Sequence, residues 1–233
     1  NLKVADVDTG GSYFETPTPA VRIGEGTLSW IKYTANEKNR TIQSQLMFYD
    51  TKSKKLSIKE KDELDESQDR KGSYHIIQEN LDSKNYLLYK SVFQDGEKKF
   101  TLNLNEEGEK SKVIATEDGI IDFTYLNDYV TYTNGSSLYV YNKNNLNQAK
   151  IFKDESIHTT LDTPIFINED TLIFRKGVEQ IYILNIEKGI ASPISESIIS
   201  TSKPIFTDGI LSYSVYESDG DQVDLDFVVV DIQ

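Results

Sequence analysis

The residue types that do chemistry are sparse in this 233-residue sequence. Cysteine is absent, which removes thiolate nucleophiles, thiolate metal sites and disulfides together. The two histidines, His75 and His158, stand far apart in the chain, and no Gly-x-Ser-x-Gly elbow accompanies them. A zinc site would need further ligands that the sequence does not nominate. Structural histidines are the commoner case, and no catalytic residue is assigned.

Carboxylates offer more. Asp219, Asp221, Asp224 and Asp226 fall within eight residues, and calcium takes several such oxygens at once. Asp219, Asp221 and Asp224 are therefore the candidate metal ligands, and calcium is the only cofactor to weigh. Asp6 and Asp8 supply two more carboxylates, but Pro17 stands where an EF-hand would place its final Glu. The plainer account of residues 219–226 is a hairpin turn followed by an alternating strand. A glycoside-directed hydrolase needs two carboxyls converging in a channel. Glu15, Glu25, Asp118, Asp122, Asp162 and Asp208 lie near the starts of strand-like segments, although with 38 acidic residues in the chain some fall there by chance. Tyr13, Phe14 and Trp30 are the candidate ligand-binding aromatics, able to stack on sugars or peptides. Core packing is the commoner fate of strand aromatics.

The bulk composition narrows the partners. A net charge of -13 repels phosphate backbones and anionic membrane surfaces, and no Lys/Arg cluster escapes the surrounding acids, so nucleic acid is not expected. Fourteen Tyr and ten Phe suit pleated, half-buried strands and argue against disorder. No run of 18 apolar residues exists, so no transmembrane helix is expected. The chain begins at Asn1 without a leader, as a processed or trimmed segment would, with a signal or lipid-attachment site expected upstream.

The elements that position these side chains are strands written in a repeat. A polar residue, alternating apolar positions and a closing Asp or Asn recur from Gln45 to Asp50, Ser137 to Asn142, Gln180 to Asn185 and Asp226 to Asp231, with a looser copy from Lys99 to Leu104. The closing side chain suits a turn, because it can bond the backbone two residues on. The steps from Asn142 to Asn185 and from Asn185 to Asp231 are 43 and 46 residues, within the roughly 40–50 residues of a four-stranded propeller blade. Short aromatic strands precede each copy, followed by polar turns such as Asn134-Gly135, Lys176-Gly177 and Asp219-Gly220. One turn earlier come Pro-marked starts at Pro19, Pro164 and Pro204, and after each copy but the last an outer strand follows. The charged run of residues 59–72 reads as a solvated loop. The fifth unit stops one strand short, and the strand-like residues 1–8 could supply that strand and close the ring.

The expectation is an all-β, single-domain β-propeller of about five four-stranded blades, with units near residues 17–62, 73–118, 119–158, 159–198 and 199–233 plus 1–8. The stretch from Thr163 to Phe174, followed by Gln180 to Asn185, resembles a TolB-like propeller blade, and Lys203 to Gly209 resembles the same start. The likeness covers about two blades well and three loosely. The full Ser-Pro-Asp-Gly turn of that family is missing, and its propellers commonly have six blades. The resemblance implies an exported or lipid-anchored bacterial protein and a habit of binding, with no catalytic residue to carry over. The expected function is a non-catalytic binding or scaffold module, monomeric, recognising a protein or cell-wall carbohydrate outside the cell. A channel-carboxylate hydrolase and a fragment of a larger multidomain protein are the alternatives.

Overall fold

The computed structural model describes residues 22–24, 26–36, 38–39, 41–65, 72–80, 85–94, 97–117, 119–153, 160–177, 180–194, 203–219 and 222–232. Residues 1–8, expected to close the ring, lie outside them, as do Tyr13 and Phe14. Among the described residues there is no helix, hence none long and apolar enough to cross a membrane. The strands form five antiparallel sheets, each ordered as in the sequence. The first holds β1 (Arg22–Gly24), β2 (Thr27–Asn36), β3 (Thr41–Asp50) and β4 (Lys55–Asp65). The second holds β5 (Gly72–Asn80), β6 (Tyr86–Gln94), β7 (Glu97–Asn105) and β8 (Lys112–Ala115). The third holds β9 (Asp122–Leu126), β10 (Tyr129–Thr133), β11 (Ser137–Asn142) and β12 (Asn145–Lys153). The fourth holds β13 (Leu161–Asn168), β14 (Thr171–Lys176), β15 (Gln180–Asn185) and β16 (Ile190–Pro193). The fifth has three strands, β17 (Ile205–Thr207), β18 (Ile210–Asp219) and β19 (Gln222–Asp231).

Local grammar sets the hairpins. In the first, third and fourth sheets the residue closing the third strand caps its turn: Asp50 Oδ1 accepts from the amides of Lys52 and Ser53, Asn142 Oδ1 from Asn144 and Asn185 Oδ1 from Lys188, at 2.7–2.9 Å. The Ser53 amide bond, the largest cause, draws the Asp50 carboxyl below its ordinary value. Between Thr207 and Ile210, Asp208 and Gly209 both take positive φ (52° and 80°), as a right-handed-twisted two-residue hairpin requires.

Two compact units divide the chain, residues 1–118 and 119–233. In the first, Ile31, Tyr33, Leu46 and Phe48 of the first sheet bury against Tyr86 and Leu88 of the second. The Phe48 and Tyr86 rings lie 5.5 Å apart and tilted. In the second unit the fourth sheet is apolar on both faces. Leu172 and Phe174 pack with Leu138, Val140 and Phe152 of the third sheet, while Ile173 and Ile181 pack with Leu211, Tyr213 and Val215 of the fifth. That explains why Leu172-Ile173-Phe174 is an unbroken apolar run, as strands covered on both sides tend to be. The outer face of the fifth sheet leaves Phe227 77% and Val229 67% exposed.

Two expectations are corrected. The charged run of residues 59–72 is strand up to Asp65, because pairing with β3 satisfies the backbone whatever the side chains carry. As the sheet's outermost strand, β4 leaves Lys59 and Lys61 exposed, where charge deters further pairing. Pro164 does not open its strand. It lies inside β13, where the register slips between Asp162 and Ile165, and a bulge on a strand at the sheet's edge tolerates its missing N–H.

The β4 strand also brings Glu60 within 3.2 Å of the Tyr86 hydroxyl, which donates to it. Burial, then the Glu60 charge, push the Tyr86 phenol well above its ordinary value of 10.0. An unfolded chain releases that proton near pH 10 while the folded chain keeps it, so the stability involved is intact below about pH 10 and declines as pH rises further. Urea unfolding followed from neutral to strongly alkaline pH should show a shallower loss above pH 10 for Tyr86→Phe than for the parent. Parallel pH profiles would contradict the assignment.

Candidate functional site

Carboxylates and cations gather in the second unit where strand beginnings meet. Asp162 and Arg175 are direct cross-strand partners on β13 and β14. The guanidinium grips the carboxylate twice, Nε to Oδ1 at 2.6 Å and Nη2 to Oδ2 at 2.8 Å, and both side chains are mostly buried. Thr163 Oγ1 donates a further bond to Asp162 Oδ1 at 2.9 Å. Thr163 is buried with φ 49°, a left-handed conformation rarely adopted by a β-branched residue and usually held in place by its surroundings.

Asp122, the first residue of β9, accepts from Lys203 Nζ at 2.6 Å across 81 residues of chain. Lys203 immediately precedes Pro204 and β17, so the lead-in of the fifth sheet reaches the first strand of the third, with the fourth sheet between them in sequence. The hydrogen bond it donates to Asp162, and to a lesser degree the charges of Asp162 and Asp122, hold the Arg175 guanidinium above its ordinary value against the opposing pull of burial. Backbone bonds knit the same corner. Leu161 N donates to Gly135 O at 2.7 Å, and Thr133 Oγ1 donates to Leu161 O at 2.8 Å. Gly135 has φ 92°, which only glycine takes easily.

The chemistry this corner offers is charge pairing. Both oxygens of Asp162 are engaged by one guanidinium, and Asp122 is bound to an ammonium and to the Phe123 amide. A hydrolase needs one carboxyl poised to give a proton and another to attack or activate water. Among the described residues no group of three His, Asp or Glu side chains is arranged to hold a metal ion.

The other sequence candidates scatter. Asp208 sits in the turn at the far end of β17 from Lys203 and is exposed. Glu15, Glu25, Asp118, His158 and Asp221 lie outside the described residues. His75 is in β5 beside a register slip, with Ser91 as its cross-strand partner. Asp219 pairs with Gln222 and Asp224 with Glu217 across β18 and β19, so these two calcium candidates stand on paired strands. Trp30 is 5% exposed, opposite the buried Met47, and belongs to the core. Arg175, Lys203 and Thr163 went unnominated. The sequence signal for Arg175 is a charge closing the apolar run of β14, and for Thr163 and Lys203 it is the proline that follows each.

No protein-family model matches the chain, and no curated protein does. The structure is similar to the β-propeller domain of the Trilobed protease from Pyrococcus furiosus, a domain described as having an open velcro topology. The TM-score is 0.51 at 10% identity, covering 94% of this chain and 84% of that one. It is also similar to the acylaminoacyl peptidase of Pyrococcus horikoshii, at a TM-score of 0.45 and 13% identity, with 93% of this chain and 45% of that one covered. A variant of an α-L-arabinofuranosidase from Fusarium graminearum gives 0.47 and 10%, over 89% and 72%. The first likeness shows the fold class, a β-propeller, and carries no chemistry with it.

Removing one partner of the Asp162–Arg175 pair strands the other. Arg175→Met should lower unfolding free energy by about 2–4 kcal/mol, somewhat under the cost for a wholly buried pair. Asp162→Leu combined with Arg175→Met should lose much less than the two singles added together. Strictly additive losses in urea would show that the pair is not a unit.

Proposed function

We propose that the chain is a non-catalytic binding or scaffold module built on a propeller of about five blades. We further propose that it works outside the cytoplasm, at a bacterial surface, on a protein or carbohydrate partner. The observation that supports this best is the engagement of both Asp162 oxygens by Arg175 and of Asp122 by Lys203. Two carboxylates neutralised by two cations make a rigid polar corner, which suits a scaffold better than proton transfer. The net charge of -13 adds solubility and repels nucleic acid. The placement outside the cytoplasm rests on the TolB-like strand pattern.

The experiment is a turnover assay of the purified chain on a panel of chromogenic α- and β-glycosides. A binding module gives rates indistinguishable from buffer. Turnover that disappears in both Asp122→Asn and Asp162→Asn, with folding retained by circular dichroism, would overturn the proposal in favour of a hydrolase.

A further inference from the structure

In the second unit a groove of about 320 Å³ opens between β12 and the turn joining β15 to β16. Val140, Phe152, Leu184 and Ile186 line it with apolar surface, and three of them are almost wholly buried. Its remaining lining includes Lys150, Glu187 and Lys188.

Lys150 stands at the exposed rim of this groove. It is the cross-strand partner of Val140, two residues from Phe152, which pairs with Leu138. Val140 and Phe152 of that row pack towards the fourth sheet, whereas Lys150 stays exposed. The ammonium donates to the carbonyls of Ile186 and Glu187, at 3.0 and 3.4 Å. An ammonium has three N–H donors, so one is left over where the groove opens. Lys188 stands in the same turn, and Gly189, with φ 66°, takes up no side-chain space there.

We propose that this groove binds a small amphipathic monocarboxylate, its apolar tail against Val140, Phe152, Leu184 and Ile186 and its carboxylate on Lys150 and Lys188. Charge complementarity selects the head group: two cations meet one Glu at a single spot on a chain of net charge -13. Glu187 and that overall charge penalise a dianion such as a phosphate monoester more than a monoanion. The apolar walls select the tail, and the volume fits a single small ligand of the kind that such concave sites hold. The groove is separate from the Asp122–Arg175 corner and does not depend on the binding-module proposal.

The test is a titration of the intact ¹⁵N-labelled chain with octanoate, 1-octanol and octylamine, three ligands that share a tail and differ in head-group charge. Octanoate should bind saturably, with amide shifts confined to β12 and the β15–β16 turn. Octanol should bind about tenfold more weakly and octylamine weaker still, as expected when one charge-assisted contact is lost or reversed. Lys150→Met should abolish the preference for octanoate over octanol, and the exposed Lys188→Glu should weaken octanoate without disturbing the fold. Overturning results would be no saturation below the micelle concentration of octanoate, octylamine binding as well as octanoate, shifts mapping elsewhere, or unchanged octanoate affinity in both variants.

Discussion

A sheet that is apolar on both faces has to be covered on both. The fourth sheet sets that condition for the second unit. Leu172 and Phe174 look one way and Ile173 the other, and all three are inaccessible to water. Each Phe or Leu fully buried in this way is worth roughly 1.5–3 kcal/mol over leaving it exposed. Neighbouring sheets must therefore lie face to face on either side, and the chain supplies them with its preceding and following hairpins. The first unit repeats the principle with Ile31 and Phe48 against Tyr86 and Leu88.

The charged corner follows from that stacking. Once three sheets stack in sequence order, their opening strands come near one another, which is why Lys203 reaches Asp122 over a whole intervening sheet. Such a place is crowded with strand ends and partly shut off from water, so any carboxylate there needs a cation. Arg175, with a fork that matches both oxygens of Asp162, meets the need better than a lysine would. The left-handed Thr163 and the slip beside Pro164 bend β13 locally, and the Thr163 hydroxyl takes part in the network it adjoins.

Much of this was legible in the residues. Asp50, Asn142 and Asn185 announced their turns because an Asx side chain acts on its own backbone, a purely local effect. Asp122 and Asp162 were noticed from their position ahead of strands. Their partners were not, since choosing Arg175 and Lys203 among 25 basic residues requires knowing which strands lie side by side. The run before Gly72 reads as a loop for a related reason: composition reports on side chains, while β4 is held by backbone pairing to β3 and carries its charges at the end of the sheet. Trp30 looked like a recognition aromatic and is instead packed, because alternation puts it opposite Met47 on a central strand.

The face-to-face packing itself is most directly measured by a double-mutant cycle between Phe152 and Phe174, whose rings lie 5.3 Å apart and tilted across the third and fourth sheets. If the sheets are stacked as described, the double alanine variant should be more stable than the sum of the singles implies, by about 0.5–1.5 kcal/mol. Losses that simply add would mean the two rings do not touch, and would contradict the stacking on which the structure rests.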